Sequence, residues 1–386
     1  MLSAVSQVIM TASGRAVSCV STKLYSGVQR FVALTLLTNQ RFNYSPTTIM
    51  DLKTRRLTIL SDPSQEQTAE LAKIPRVFKV AVKNDNGDTL EGILLVPQDR
   101  LELVGGKPKV KDRLLVAFSG IGGCYEYWYQ DGLKDLYDNY NSAVLMVNYR
   151  GVGKSTGHVV TPSDLIDDGY SIAKYALDEV ALDRKKVHFY GASMGGGVAT
   201  HVVAKLESEG LAPASVCIDR SYSGLMQTVH DMIPFDFLKS ACHRLMNYTS
   251  WQIDSASAAS KIGSSKLVVI RAEADAIVPA KVSLATALED QVEGKAPFKV
   301  IDLPMHEKTD WEKMQEPGYP YWVKTHMESS WLGWVQLNYI HGMHYVQKFL
   351  IGVKAHCMPF NKELFPVQVQ AYEKVLKEAE NAFKSS

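Results

Sequence analysis

The chain has 386 residues, of which 46% are hydrophobic and 22% charged, and its formal net charge is +1. That is an ordinary globular balance, with length for one large α/β domain plus additions or for two small domains. Near-neutral charge excludes a nucleic-acid binder that works through a basic surface, and five scattered cysteines without Cys-x-x-Cys spacing argue against a disulfide framework or a structural zinc site.

The first fifty residues carry Arg15, Lys23, Arg30 and Arg41 but no acidic residue before Asp51. Apolar side chains at Leu2, Val5, Ile9, Ala12, Ala16, Val20, Leu24, Val28 and Phe31 keep a helical period. Residues 1–75 are therefore read as an amphipathic helical extension ahead of a domain over 76–386. No basic segment leads into an apolar core, and no apolar run reaches spanning length, so neither a cleaved signal nor a transmembrane helix is expected. Two fates remain for the basic stripe: packing against the rest of the protein, or peripheral contact with an anionic membrane. Cysteine usage favours a reducing, cytoplasmic compartment, with membrane association or export without a cleaved signal left open.

Residues 77–97 read as a hairpin, two alternating apolar runs around Asn86-Gly87. Short apolar runs then alternate with helical patterns. The predicted strands are 114–118, 143–147, 187–190, 215–218, 267–270 and 298–303, and the predicted helices are 162–181, 196–209, 223–246 and 279–290. An antiparallel opening followed by repeated strand–helix units predicts a mostly parallel central sheet with helices on both faces. Chemistry in such a sheet sits at the carboxyl ends of the strands.

After the 114–118 run come Ser119-Gly120-Ile121-Gly122-Gly123, whose glycines let backbone approach a substrate closely. After 143–147 comes Gly151-Val152-Gly153-Lys154-Ser155-Thr156, which imitates a phosphate-binding loop. A true one needs a glycine five residues before the Gly-Lys pair, and that position is Asn148. No acidic strand end supplies a magnesium site, so nucleotide hydrolysis is set aside.

After 187–190 stands Gly191-Ala192-Ser193-Met194-Gly195, between a strand and a helical pattern. A Gly-x-Ser-x-Gly turn forces its serine into a strained bend with the hydroxyl exposed at the top of a sheet. A serine there requires a histidine base, and the histidine requires a carboxylate. Asp275, just past the 267–270 strand, is the best carboxylate, with Glu273 and Asp219 as rivals. His306 follows the last predicted strand and lies 31 residues after Asp275, room for one helix and one strand. It is the first candidate for the base. His344, with His341 beside it, is the second, and serves if residues 307–340 are an excursion from the loop. The oxyanion would be held by the backbone N–H groups of Met194 and Ile121, with Gly122 next in line.

Residues 307–345 hold four of the six tryptophans, Trp311, Trp322, Trp331 and Trp334, and read as an aromatic insertion before the closing helices. It would roof an apolar pocket or form a satellite core. From Lys362 onward, Tyr372, Val375, Leu376, Ala379 and Phe383 mark a surface helix.

Four segments together resemble the α/β-hydrolase superfamily. They are Ser119-Gly120-Ile121-Gly122-Gly123, the stretch from Asn148 to Ser155 with its Tyr149-Arg150-Gly151 core, Gly191 to Gly196, and Ala272 to Pro279. The long amphipathic start also resembles a group of such proteins from intracellular bacteria, the chlamydial CHLPS-type family. The resemblance covers about residues 76–306 and the closing helix. It implies the α/β-hydrolase fold and a cofactor-free, lipase-like serine esterase with Ser193, Asp275 and His306 as catalytic triad. Two departures stand out: Ser119 where a histidine is common, and no glycine before His306. Residues 222–262 are too short for a large lid and fit a small helical cap.

The expected function is therefore hydrolysis of carboxyl ester or thioester bonds through an acyl-enzyme, with the aromatic residues 311–334 and the N-terminal helix making acyl chains or lipids plausible substrates. The competing expectation is an idle hydrolase scaffold that acts in protein interaction or membrane docking, since a serine turn can outlive a lost base.

Overall fold

The structure is a computed structural model. It describes residues 75–120, 123–125, 136–137, 142–232, 236–263, 267–273, 275–291 and 298–303, together with His356 and Lys374. The expected helical extension over 1–75 and the aromatic insertion over 307–345 lie outside the described residues, apart from residue 75 itself.

The chain opens with strand β1 (Arg76–Lys83) and strand β2 (Thr89–Val96), paired antiparallel from Arg76↔Val96 to Lys83↔Thr89. Gly87 takes φ 83° in the turn between them, as the Asn-Gly signal predicts. A small hairpin follows, β3 (Leu101–Val104) with β4 (Lys107–Val110), joined by Gly105 and Gly106 at positive φ. Then come β5 (Leu114–Phe118), β6 (Ala143–Val147), helix α1 (Pro162–Tyr175), β7 (Val187–Ala192), α2 (Met194–Ser208) and β8 (Ser215–Asp219). A helical excursion, α3 (Leu225–Met232) and α4 (Asp236–Tyr248), leads through α5 (Ser255–Ala259) to β9 (Leu267–Ala272), α6 (Leu284–Gln291) and β10 (Lys299–Leu303).

Eight strands among the described residues form one sheet in the order β1-β2-β6-β5-β7-β8-β9-β10. The β1–β2 and β2–β6 pairs are antiparallel and every later pair is parallel. β5, β6 and β8 are buried along their whole length. That is why each reads as an unbroken apolar run rather than an alternating one. Alternate side chains divide between two cores. Leu114, Val116, Phe118, Leu145, Val147, Phe189, Val216 and Ile218 pack with Val198, Val202 and Leu206 of α2 and with Leu284 and Leu288 of α6. Leu115, Val144, Met146, Tyr190, Cys217, Val268 and Ile270 pack on the other face with Tyr125, Leu136 and Tyr137.

The expected single helix over 223–246 is instead two, α3 and α4. Pro234 falls in the interval between them, and proline cannot continue a helix interior. This excursion, where the sequence suggests a small helical cap, is closed at its base by the Gly224↔Asp254 bridge and the Leu225 N–H bond to the Ile253 carbonyl. The Trp251 indole donates to the Val160 carbonyl at 2.9 Å and anchors the cap's return.

The phosphate-loop mimic after β6 is internal structure. Ser155 donates to the Asn148 carbonyl at 3.1 Å and accepts the Glu91 N–H at 2.9 Å, so its hydroxyl is spent on backbone. Arg150 is buried and grips Asp168 of α1 through its backbone N–H (2.7 Å), Nε (2.9 Å) and a terminal nitrogen (2.7 Å). Its other terminal nitrogen reaches Asp164 at 3.0 Å. Asn84, whose Oδ1 organises the β1–β2 turn, donates to Asp168 at 2.8 Å. Burial alone pushes the Asp168 carboxyl up, and these donors oppose it.

Candidate active site

β7 runs buried to Tyr190, bends through Gly191 and Ala192, and ends at Ser193, where α2 begins. Ser193 has φ 51°, a conformation a non-glycine residue adopts at a cost of about 1–3 kcal/mol. Close approach explains the flanking glycines. A Cβ on Gly191 would lie 2.5 Å from the Gly195 carbonyl oxygen, and one on Gly195 would overlap the Phe118 carbonyl. Gly195→Ala should therefore lift α2 off β5, destabilising the fold by about 1–3 kcal/mol. Thermal unfolding measures this; an unchanged midpoint would mean the turn tolerates a methyl.

Asp275 sits on the loop after β9. Its Oδ1 accepts the N–H groups of Ile277 and Val278, each at 2.8 Å, which fixes the carboxylate and leaves Oδ2 free to face the site. Oδ2 is 2.7 Å from Nδ1 of His356, and Nε2 of His356 is 3.0 Å from Oγ of Ser193. The Asp275 side chain is 1% exposed and that of His356 10%. With Asp275 ionised, Nδ1 carries the proton and donates, and Nε2 is left to accept from the serine hydroxyl. Serine hydroxyl, imidazole and carboxylate thus form one hydrogen-bonded chain at the carboxyl ends of β7 and β9.

Ser193 and Asp275 meet as expected; the histidine between them is not the expected one. His306 and His344 both lie outside the described residues, and the imidazole position is filled by His356. The cause is chain length. The expectation of one helix and one strand after Asp275 placed the base 31 residues on, whereas His356 is 81 residues on. The sequence holds a signal for this contact: an insertion over 307–345 puts the partner histidine after it, and His356 is the only histidine beyond residue 345.

The rival carboxylates are occupied or turned away. Asp219 accepts the Tyr190 hydroxyl at 2.5 Å and is gripped by the Arg220 guanidinium at 2.7 Å on both oxygens. Burial works against the Arg220 charge, and Asp219 more than restores it, so this guanidinium is held above its ordinary value. Glu273 is exposed. Among other histidines, His188 is buried in β7 with Nδ1 2.9 Å from Ser215 Oγ.

Of the two oxyanion donors expected, Met194 opens α2, where the first N–H groups have no intrahelical acceptor. Ile121 and Gly122 lie outside the described residues. Gly120 does reach the site, since a Cβ on it would stand 3.1 Å from the Ser193 Cβ.

Known proteins share this architecture. A family model described as alpha/beta hydrolase fold matches residues 113–239, from just before β5 into α4. An α/β hydrolase from Vibrio vulnificus superposes with a TM-score of 0.51 at 14% identity, covering 79% of this chain and 92% of that one. An esterase from Pyrobaculum calidifontis aligns at 14% identity over 82% of this chain and 99% of its own, with a TM-score of 0.43. Among curated proteins, Bem46 of Schizosaccharomyces pombe is 30% identical over 103 residues, 26% of this chain, and the match spans 31% of that relative's length.

Proposed function

We propose that this chain, a member of the α/β-hydrolase superfamily, is a serine hydrolase that cleaves carboxyl ester or thioester bonds through an acyl-enzyme on Ser193. One observation carries the reading: the His356 imidazole bonds the Ser193 hydroxyl through one nitrogen and the Asp275 carboxylate through the other.

In the first half-reaction, His356 Nε2 takes the Ser193 proton as Oγ attacks the acyl carbon. Negative charge gathers on the carbonyl oxygen, and the Met194 N–H at the start of α2 is suited to hold it, with Ile121 the second donor expected from the sequence. The imidazolium then protonates the departing alcohol or thiol, and Asp275 steadies its charge without taking its proton. Water attacks the acyl-serine with His356 as base, which releases the acid and restores the hydroxyl. The idle-scaffold reading rests on a lost base, and the contacts of His356 with Ser193 and Asp275 weigh against it.

A fluorophosphonate probe tests the reading. Wild-type protein should be labelled and Ser193→Ala should not. A chain-length series of p-nitrophenyl esters would then read the acyl preference. Folded wild-type protein that resists the probe would favour the scaffold.

A further inference from the structure

We infer that Ser221 is a positioning residue for the Ser193 nucleophile, its hydroxyl delivered to the Ser193 carbonyl by a left-handed turn at Arg220. The inference rests on the reading of Ser193 as nucleophile and adds a second segment, the tail of β8, to the machinery that aims it.

A strained serine keeps its bend only if its surroundings over-determine it. Both backbone groups of Ser193 are held by β8. Its N–H donates to the Asp219 carbonyl at 2.9 Å, and its carbonyl accepts the Ser221 hydroxyl at 2.7 Å as well as the Gly196 N–H at 2.9 Å. Asp219 and Ser221 are two residues apart. In a parallel ladder carried one step further, the Ser193 carbonyl would accept a backbone N–H from the strand opposite; here it accepts the Ser221 side-chain hydroxyl.

Arg220, between Asp219 and Ser221, departs from the strand by turning left-handed, with φ 47°, and Ser221 follows that turn. Arg220 is the second of three non-glycine residues with positive φ among the described residues, and it is bound to the first through both of its neighbours. Arg220 has its own restraints. Its N–H donates to the Ile270 carbonyl at 2.9 Å, its guanidinium is clamped to Asp219, and the Ser221 carbonyl accepts the Leu284 N–H at 2.9 Å. One strained turn thus holds another.

The glycine run records the same contact. Gly191 and Gly195 satisfy the serine turn, which leaves Gly196 unexplained by it. A Cβ on Gly196 would stand 2.6 Å from the Ser221 Cβ and 2.7 Å from its Oγ. The third glycine makes room for Ser221. Ser221 itself is 1% exposed, so it acts on Ser193 through the backbone and does not touch substrate.

The test is Ser221→Ala in the full chain, with active sites titrated by the fluorophosphonate and turnover of p-nitrophenyl acetate measured per titrated site. Loss of the hydroxyl lets the serine turn drift, so kcat per site should fall about 10- to 100-fold while KM stays within about twofold. The thermal midpoint should drop by only a few degrees. A merely structural role gives the opposite pattern, fewer titratable sites that each turn over at the wild-type rate, and would overturn the inference. So would Ser221→Ala with unaltered kcat while Ser193→Ala is dead, an outcome that leaves the nucleophile reading standing. Wild-type protein that is neither labelled nor active would overturn both.

Discussion

His356→Ala is expected to lower kcat on the order of 10⁴-fold or more, with KM changed only a few-fold. The imidazole does its work as the Ser193 proton moves, not as substrate binds, so its loss falls on the chemical step. The Ser193 hydroxyl and the oxyanion donors remain in place, which leaves slow residual turnover above water. Folding should be little affected, because Oδ1 of Asp275 keeps its bonds to the Ile277 and Val278 N–H groups when the histidine is gone. Steady-state kinetics on a p-nitrophenyl ester, beside thermal unfolding, separates the two effects. His306→Ala and His344→Ala provide the contrast, since each should keep activity within a few-fold. If either is the dead variant while His356→Ala turns over normally, the base has been misassigned.

The largest stability effect should come from Asp168→Ala. Arg150 is 3% exposed and Asp168 wholly buried, so removing the carboxylate strands a guanidinium in the interior. Breaking one partner of such a pair costs about 3–5 kcal/mol. A domain of this kind has about 5–15 kcal/mol in total, so the variant should be marginal at 25 °C. Three pieces would loosen together: the β1–β2 turn through Asn84, the loop after β6, and the start of α1, where Asp164 also accepts the Val160 and Thr161 N–H groups. Urea denaturation reads the loss. The double variant Arg150→Met with Asp168→Leu should recover part of it, because an apolar pair of similar bulk leaves no charge unmatched. A cost below about 1 kcal/mol for Asp168→Ala would show that the pair contributes little.

Much of the scaffold was legible because burial leaves a simple mark. β5 and β6 coincide with their apolar runs to the residue, since strands covered on both faces have no solvent side to break the run. The β3–β4 hairpin was overlooked although Gly105-Gly106 marks it, because its strands are short and largely exposed. Ser193 and Asp275 were legible for a different reason: each sits directly past a strand end, where local order fixes position. His356 was not, since the chain travels 81 residues from Asp275 before returning. A spacing rule cannot survive an insertion. The Lys154-Ser155 pair shows the converse, residue types that suggest one chemistry while Ser155's contacts assign it to another. Ser221 had no sequence signal beyond the surplus glycine at 196.

The late arrival of the imidazole orders events during synthesis. The sheet, the serine turn and the carboxylate have all been synthesised by Leu303, yet the stretch to His356 takes roughly 3–10 s more to make at ordinary elongation rates. Throughout that interval the nascent protein has Ser193 and Asp275 and lacks the imidazole that bonds both. On the proposed mechanism, a chain broken between these two points keeps its serine turn and its carboxylate and loses the imidazole that joins them.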